Sequence, residues 1–445
     1  MKLLLISLGC DKNRVDSEKM LGALTKAGFE ITSEEAEAEV CLVNTCCFIG
    51  DAKKESIETI LEMAALKEKA SLKALIVTGC LGVRYKDEIL KEIPEIDAVC
   101  GITSEDSIVS VIEEALSGKQ VSLHTDLSRN MIPDEDRVMS TGSAYAYMKI
   151  AEGCDKNCTY CVIPSVRGHY RSRPMEELVA EAQRLAQQGI RELILVAQET
   201  TLYGLDLYGQ KSLHTLMKRL CAVEGIAWIR LLYAYPEEIY PDLIEVMAEE
   251  PKICHYIDMP IQHINDDILR RMNRRTNRAS IEAMIRRVRE RIPDMVLRTT
   301  LLSGFPGETE EAHKELVDFV ETARFERLGV FAYSREEGTP AALMKDQVHP
   351  STKKRRQREL MEVQRGISLE KGENMDGRTM EVMIEGYLPE DGVYIGRTRG
   401  DAPDVDGCVF VIGNREYMSG DLIPVRITEA LEYDLEGVAE DESAQ

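Results

Sequence analysis

The first hundred residues alternate short apolar runs with longer amphipathic segments. Short runs rich in Leu, Val and Ile predict buried β-strands, whereas apolar positions spaced three and four residues apart predict helices. Because continuous apolar strands are separated by helices, the pattern predicts a parallel sheet in an α/β domain. The predicted strands span residues 2–8, 39–44 and 72–78, and the predicted helices span residues 16–27, 53–69 and 86–92.

A cysteine follows each of these three strands, in the sequences Ser-Leu-Gly-Cys10, Asn-Thr-Cys46-Cys47 and Thr-Gly-Cys80. In an open α/β sheet, ligands gather beyond the carboxyl ends of the strands, so three thiols from three strand ends can converge on one site. The alternative is three independently buried cysteines, because Cys is among the residue types most often buried. Cys46 and Cys47 are adjacent and point apart, so the spacing leaves open which of them faces the site.

Between residues 144 and 331 the chain again alternates apolar runs with amphipathic helical segments. Six such strands predict a partial (β/α)6 barrel, whose active site lies at the carboxyl ends of its strands. The predicted strands span residues 144–150, 192–197, 228–233, 256–259, 296–300 and 326–331, and the main predicted helices span residues 175–188, 213–223, 241–249, 281–292 and 310–322.

From residue 376 the pattern changes to alternating apolar and polar positions between Gly and Asp turns. This period of two predicts a small antiparallel β-barrel with strands at 379–384, 393–398, 409–412 and 422–430. A basic helix at 352–371 leads into it. Together the patterns predict an N-terminal parallel α/β domain at 1–117, a linker at 118–139, a partial-barrel core at 140–370 and the small β-barrel at 371–440.

The chain is strongly acidic, with a formal net charge of −23 at pH 7. This charge disfavours general nucleic-acid binding, which needs Lys and Arg at the phosphates. Residues 376–445 carry 17 Asp and Glu against five Arg, so the small barrel favours a basic protein partner over RNA. Nine arginines lie between Leu269 and Arg291. They predict either a docking surface for nucleic acid or an acidic partner, or a solvated helix face paired with nearby Glu.

Hydrophobic residues make up 44% of the chain, which is enough for substantial buried cores. No apolar run approaches the ~20 residues of a membrane span, and charged residues follow the N-terminal apolar run at 3–8 too soon for a signal peptide. Twelve cysteines without the density of a disulfide scaffold favour ligands or catalytic thiols in a reducing compartment. We therefore expect a cytoplasmic protein without membrane contact.

Three thiols occur at CxxxCxxC spacing in the polar stretch Cys154-Asp-Lys-Asn-Cys158-Thr-Tyr-Cys161. Clustered thiolates of this kind hold iron–sulfur clusters, and three ligands on a four-iron cluster leave one iron open. Zinc is an alternative, but a structural zinc site needs a fourth ligand, for which His169 is the nearby candidate. Free or disulfide-bonded thiols are the third interpretation.

Two polar loops follow predicted strands of the core. Gln198-Glu-Thr-Thr201 ends the second strand, and Gly304-Phe-Pro-Gly-Glu-Thr309 follows the fifth. A glycine-rich loop before a helix lets backbone N–H groups approach a ligand, and the helix N-terminus favours anions. Either loop could equally be an ordinary helix cap or tight turn.

The CxxxCxxC stretch with Tyr160 before its last cysteine resembles the radical S-adenosylmethionine (SAM) enzymes. Over nearly its full length the chain resembles the methylthiotransferases of that superfamily, which add a small β-barrel called TRAM. The resemblance implies that Cys10, Cys46 and Cys80 hold an auxiliary four-iron cluster. It implies that Cys154, Cys158 and Cys161 hold the radical-generating cluster, and that Cys221 and Cys254 are core residues. The implied SAM contacts are Tyr160, Glu199, Arg298 and Gly304, and no general acid or base is assigned.

The sequences Leu8-Gly-Cys-Asp-Lys-Asn-Arg-Val-Asp-Ser-Glu18 and Glu152-Gly-Cys-Asp-Lys-Asn-Cys158, with the acidic barrel, resemble the branch that modifies ribosomal protein S-twelve. That resemblance implies transfer of a methylthio group to an aspartate β-carbon, with SAM as radical source and methyl donor. The implied partners are ribosomal protein S-twelve, docked by the acidic TRAM barrel, and an electron donor such as flavodoxin or ferredoxin, with room for a ribosomal RNA contact. A tRNA adenosine methylthiotransferase and a non-catalytic iron–sulfur or zinc protein remain the alternative functions.

Overall fold

The computed structural model describes residues 1–69, 71–102, 107–128, 137–142, 144–413 and 415–440. These residues form two compact units. Unit 1 contains residues 1–140, 151–173 and 334–342, and unit 2 contains residues 141–150, 174–333 and 343–445. Within the described ranges, no helix combines the length and apolar character needed to cross a bilayer.

Unit 1 is built from alternating strands and helices, as its apolar pattern predicts. The strands are β1 (Lys2–Ser7), β2 (Glu30–Ile31), β3 (Val40–Thr45), β4 (Ala74–Gly79), β5 (Ala98–Cys100), β6 (Val121–Leu123), β8 (Ala151–Glu152) and β9 (Arg171–Ser172). The helices are α1 (Asp11–Lys26), α2 (Gly50–Lys69), α3 (Cys80–Tyr85), α4 (Asp87–Glu92), α5 (Ile108–Leu116) and α6 (Ile163–Arg167).

The large sheet of unit 1 is parallel throughout, with strand order β2-β1-β3-β4-β5-β6. Its three central apolar strands are the predicted ones, and β3 and β4 are buried along their whole length. The two faces of the sheet carry separate apolar cores, one under α2, α3 and α4 and one under α1 and α5. Strands β2, β5 and β6 were not predicted, because runs of two or three residues carry no readable period.

Unit 2 begins with β7 (Tyr145–Lys149) and contains the predicted α/β core. Its other core strands are β10 (Glu192–Val196), β11 (Trp228–Leu231), β12 (Ile253–Asp258), β13 (Val296–Ser303) and β14 (Arg327–Ala332). Its helices are α7 (Met175–Gln187), α8 (Leu205–Tyr208), α9 (Leu213–Cys221), α10 (Pro241–Glu249), α11 (Asp266–Arg271), α12 (Arg278–Arg291), α13 (Glu310–Ala323) and α14 (Pro350–Glu373).

The six core strands form one parallel sheet in the order β14-β13-β12-β11-β10-β7, which follows the chain from one edge to the other. This confirms the predicted succession of βα units. The compact units nevertheless group the chain differently from the predicted domains, because residues 151–173 belong to unit 1. Part of the predicted linker, residues 129–136, lies outside the described residues.

The C-terminal strands close into a five-stranded barrel within unit 2. They are β15 (Thr379–Leu388), β16 (Val393–Thr398), β17 (Val409–Ile412), β18 (Leu422–Ala430) and β19 (Leu435–Ala439), and β19 was not predicted. Four neighbouring pairs are antiparallel, whereas β17 and β19 pair in parallel. Val, Ile and Leu side chains from alternate positions fill the interior.

Buried ion pairs join this barrel to the core of unit 2. The carboxylate of Glu192, at the start of β10, accepts hydrogen bonds of 2.7 Å from Arg230 of β11 and from Arg397 of β16. All three side chains are almost inaccessible to solvent. Arg327 of β14 likewise binds Asp401, which follows β16, through its Nε at 3.0 Å. The barrel is therefore fixed to the core by paired charges and is part of one compact unit.

Candidate metal centres

Three cysteines follow three neighbouring strands of the unit 1 sheet. Strands β1, β3 and β4 are adjacent and parallel, with Ser7 opposite Asn44 and Thr45 opposite Gly79, so their carboxyl ends lie at one edge. Cys10 is the N-cap residue of α1, Cys46 directly follows β3, and Cys80 is the first residue of α3. The fold therefore delivers these thiols to a common edge, as the strand-end argument predicts.

Asn13 connects the three chain segments at this edge. Its Nδ2 donates hydrogen bonds to the carbonyl oxygens of Leu8, at 2.8 Å, and Thr45, at 3.0 Å. Its Oδ1 lies 4.0 Å from the Cys80 sulfur. This one buried amide thus fixes the loops after β1 and β3 close to the thiol after β4.

Glycines are required at two of these turns. A Cβ on Gly9, which has φ +91°, would lie 2.7 Å from the Cys46 Cβ and 3.0 Å from its sulfur. A Cβ on Gly79, which has φ +90°, would lie 2.4 Å from the Thr45 carbonyl oxygen. The cysteine-bearing loops can therefore approach each other only because these two positions lack side chains.

The structure separates the environments of Cys46 and Cys47. The Cys46 sulfur lies beside Gly9, and its charge interactions are with Cys80 and Cys10. Cys47 is fully buried within an apolar core that also contains Cys80, and its charge interactions are with Cys80 and Arg84. Burial raises the pKa of each thiol to about 12. Cys46 is therefore the one of the pair that adjoins the loop carrying Cys10, whereas Cys47 lies within the apolar core.

The CxxxCxxC stretch forms a compact loop that also belongs to unit 1. Its entry strand β8 pairs with β9, and the Cys154 amide donates to the Gly168 carbonyl at 3.1 Å. A Cβ on Gly153 would collide with the His169 carbonyl at 2.1 Å. The Cys161 amide donates to the Cys158 carbonyl at 3.0 Å, which closes a turn between these two cysteines. The backbone is thus folded tightly around the three thiols.

His169, the candidate fourth zinc ligand, is directed elsewhere. Its imidazole Nδ1 lies 2.7 Å from the Asp155 carboxylate, and the side chain is 89% exposed. Across the described ranges, no three Cys, His, Asp or Glu side chains already form a metal-binding group. The fit of these loops to a cluster therefore rests on their donor chemistry, which is three thiols per site, and on the glycine-lined turns that present them.

Arg167 binds residues that adjoin both sets of thiols, and it was not predicted as a site residue. It ends α6, the short helix after Cys161, and its guanidinium binds Asp16 at 2.8 Å, Glu152 at 3.1 Å and the Asn13 side-chain oxygen. Burial raises the pKa of the Cys80 thiol, and the positive charge of Arg167 opposes that rise. Arg167 and Asn13 are single polar residues without a spacing signal, so the sequence gives no means of finding them.

Tyr160 lies in the unit 1 cysteine loop and is partly exposed. Glu199 follows β10 in unit 2 and is fully buried, and its Oε1 accepts a 2.9 Å hydrogen bond from the Thr201 amide. That contact makes Glu199 part of a tight polar turn at the carboxyl end of its strand. The two residues belong to different units, and their predicted role in binding SAM stays a prediction.

The glycine-rich loop after β13 already binds a carboxylate of its own chain. The Glu308 Oε2 accepts hydrogen bonds from the Gly304 amide, at 2.7 Å, and the Phe305 amide, at 3.3 Å. Burial alone would raise the pKa of Glu308, but the nearby His263 imidazole, 3.7 Å away, the charge of Arg356 and the Gly304 amide hold it below its usual value. The amide groups expected to face a ligand thus stabilise the loop internally.

Arg298, another predicted SAM contact, binds carboxylates of unit 2. It is the third residue of β13 and so lies away from the carboxyl end of that strand. Its guanidinium binds Asp258 at 2.8 Å and Asp406, from the segment before β17, at 3.3 Å. Arg298 thus takes part in the ion pairs between core and barrel, and its predicted role in binding SAM stays a prediction.

Most arginines between Leu269 and Arg291 have partners within unit 2. Arg278 binds Glu282 and Glu315, Arg289 binds Glu326, and Arg291 binds Glu245. Arg274 donates to the Pro260 carbonyl, and its guanidinium lies over the Tyr235 ring. These contacts favour the interpretation of a solvated, ion-paired helix face over that of a nucleic-acid site.

Family models match three parts of the chain. Residues 2–101 match the family described as uncharacterized protein family UPF0004, residues 148–320 match the radical SAM superfamily, and residues 377–439 match the TRAM domain. The solved structure of the TsrM methyltransferase from Kitasatospora setae aligns with a TM-score of 0.55 at 16% identity, over 85% of this chain and 80% of that one. The solved structure of OxsB aligns with a TM-score of 0.53 at 13% identity, over 81% and 56%. The fold and the domain matches define a radical SAM enzyme with a TRAM domain.

Relatives of much higher identity narrow this class. A ribosomal protein uS12 methylthiotransferase RimO from Lachnoclostridium phytofermentans is 58% identical over 99% of this chain and 100% of its own. One from Thermoanaerobacter is 50% identical over 97% of this chain and 98% of its own. The chain belongs to the RimO family of radical SAM methylthiotransferases, whose superfamily uses an iron–sulfur cluster and SAM.

Proposed function

We propose that this protein adds a methylthio group to the β-carbon of an aspartate in ribosomal protein S-twelve, called uS12 in its relatives. The observation that carries the proposal is the placement of six thiols in two sets of three within one compact unit. Cys10, Cys46 and Cys80 would hold one four-iron cluster, and the thiols of the CxxxCxxC loop would hold the other. Full-length similarity to RimO proteins supports the choice of substrate.

When bound, the two clusters and SAM would supply a carbon-centred radical and a methylthio group for transfer. The chain's own residues position these groups and exclude water. Asn13 keeps the three strand-end loops together, while Gly153 allows the tight turn into the CxxxCxxC loop. Tyr160, Glu199, Arg298 and Gly304 remain our proposed SAM contacts.

The barrel is the proposed docking surface for the basic ribosomal protein. Three of its carboxylates, those of Glu385, Asp401 and Asp406, are used inside unit 2 to bind arginines. An exposed acidic set remains on its surface and makes it complementary to a basic partner, because opposite charge speeds encounter and selects partners. The exposed set comprises Glu390, Asp391, Glu416, Asp421, Glu429 and Glu432.

A charge-reversal experiment tests this docking role. Replacing Glu390, Asp391 and Glu416 with Lys should weaken binding of ribosomal protein S-twelve and reduce its salt dependence. A matched control places three Lys on the exposed Glu176, Glu224 and Glu249, which leaves the barrel unchanged. If the barrel variant and the parent bound ribosomal protein S-twelve with equal affinity, the barrel would not be part of the docking surface.

The identity of the substrate is tested by giving the enzyme each candidate acceptor in turn. The reconstituted, reduced enzyme would be incubated with SAM and either ribosomal protein S-twelve or tRNA, and the products would be weighed by mass spectrometry. We expect one methylthio group on an aspartyl peptide of the protein and none on tRNA. Modification of tRNA alone would overturn the proposal. Zinc, or a single cluster, in the reconstituted protein would instead support a non-catalytic function.

A further inference from the structure

Arg167 is almost completely buried in unit 1, with 2% of its side chain exposed. A buried guanidinium is costly unless its charge is paired and its N–H groups are bonded. Arg167 meets this requirement through residues that support both sets of thiols. Asp16 lies on α1, the helix capped by Cys10, and Glu152 lies two residues before Cys154.

The positive charge of Arg167 is directed toward the strand-end thiols. Its guanidinium hydrogen-bonds the Asn13 side-chain oxygen, which itself lies 4.0 Å from the Cys80 sulfur. Arg167 thus follows the CxxxCxxC loop in sequence, but its charge lies near the thiols that follow β1, β3 and β4.

We propose that Arg167 is the residue that tunes the reduction potential of the cluster held by Cys10, Cys46 and Cys80. This inference rests on the ligand assignment in the proposed function. Hydrogen bonds to cluster sulfurs and the local net charge are the levers by which proteins set such potentials. Reduction adds one negative charge to the cluster, so a buried cation nearby stabilises the reduced form more than the oxidised form.

Asp16 provides an independent test, because it has the opposite charge and binds the same guanidinium. Removing the Arg167 charge should make the cluster harder to reduce, whereas removing the Asp16 charge should make it easier to reduce. A residue that merely supports the fold would not give shifts of opposite sign. The two variants Arg167→Gln and Asp16→Asn therefore separate charge tuning from structural support.

The experiment measures the midpoint potential of this cluster alone, in full-length protein. Cys154, Cys158 and Cys161 are replaced by Ala so that one cluster remains, and the one-electron reduction is followed by electron paramagnetic resonance. We expect Arg167→Gln to lower the equilibrium constant for reduction by roughly tenfold, which corresponds to about 59 mV for one electron. Asp16→Asn should shift it upward, and Arg167→Lys should restore most of the parent value.

Arg137→Gln is the matched control, because it breaks another buried ion pair of unit 1, that with Glu18. It should leave the potential unchanged. Unshifted potentials in both Arg167→Gln and Asp16→Asn, or an equal shift in Arg137→Gln, would overturn the role of Arg167. If Arg167→Gln does not fold, the sign of the Asp16→Asn shift decides. Absence of any cluster in the parent with Arg167 intact would instead refute the ligand assignment.

Discussion

Replacing Glu192 with Gln should destabilise unit 2 severely. The substitution keeps the size of the side chain but removes the carboxylate that pairs two buried arginines. Arg397 retains a second carboxylate, Glu385, at 2.6 Å. Among the described residues, Arg230 then retains hydrogen bonds and ring contacts, including the Arg399 carbonyl at 2.8 Å and the Tyr256 ring, and only a more distant charge interaction with Asp401. Arg230 therefore becomes a buried cation without an ion-pair partner.

The expected loss follows from that uncompensated charge. Removing one partner of a buried ion pair typically costs about 3–5 kcal/mol, because the remaining charge stays buried and unpaired. We expect a loss in this range in the free energy of unfolding for Glu192→Gln. Arg397→Gln should also destabilise the protein, and the double variant should lose less than the sum of the two, because it removes both members of one pair.

Trp228 makes this measurement specific to the contact between core and barrel. It is the only tryptophan of the chain, it is fully buried, and its indole N–H donates to Glu381 of β15 at 3.1 Å. Urea unfolding would therefore be followed by Trp228 fluorescence. Glu432→Gln, which removes an exposed partner of Arg365, is the control and should leave the midpoint unchanged. A loss below about 1 kcal/mol for Glu192→Gln would refute the role of the buried pair.

Three further predictions concern pH and the metal sites. Burial alone would raise the pKa of Glu192, but Arg230 and Arg397 hold it below its usual value. Its contribution to stability is therefore fully present above the unfolded-state value of about 4.3 and is lost as the pH falls from there through the lower folded-state pKa. The difference between urea midpoints at neutral pH and at about pH 3 should shrink in Glu192→Gln. Gly79→Ala should lower the bound iron by placing a Cβ against β3, whereas Gly118→Ala, at φ +82° with nothing within 4 Å, should not. Cys46→Ala should lack the iron of one cluster, whereas Cys47→Ala should retain it, as measured by iron analysis of the reconstituted proteins. Iron lost from Cys47→Ala and retained in Cys46→Ala would contradict this assignment.

The sequence predicted the strands that carry the thiols because their apolar runs are long enough to show a period. It predicted convergence of Cys10 and Cys80 because parallel strands end at a common edge. It left Cys46 and Cys47 unresolved, since adjacent residues differ only in the direction of their side chains. That direction depends on tertiary packing, which places Cys47 in an apolar core.

The contacts of polar residues away from the thiols could not be predicted from the sequence. An arginine on a core strand has no spacing that reveals its partners, so the ion pairs of Arg298 with Asp258 and Asp406 appear only in the structure. The acidic excess of the barrel was recognised from composition. Composition could not show that three of these carboxylates, those of Glu385, Asp401 and Asp406, bind arginines of unit 2.

The central claim is that two sets of three cysteines have separate roles, one for the radical and one for the sulfur. The most direct test is a variant with Cys10, Cys46 and Cys80 all replaced by Ala, incubated with reductant, SAM and ribosomal protein S-twelve. We predict that it still cleaves SAM to 5′-deoxyadenosine but forms no methylthiolated protein by mass spectrometry. Methylthiolated protein S-twelve at the parent level would contradict the claim, as would loss of SAM cleavage in a variant that keeps the cluster of the CxxxCxxC loop.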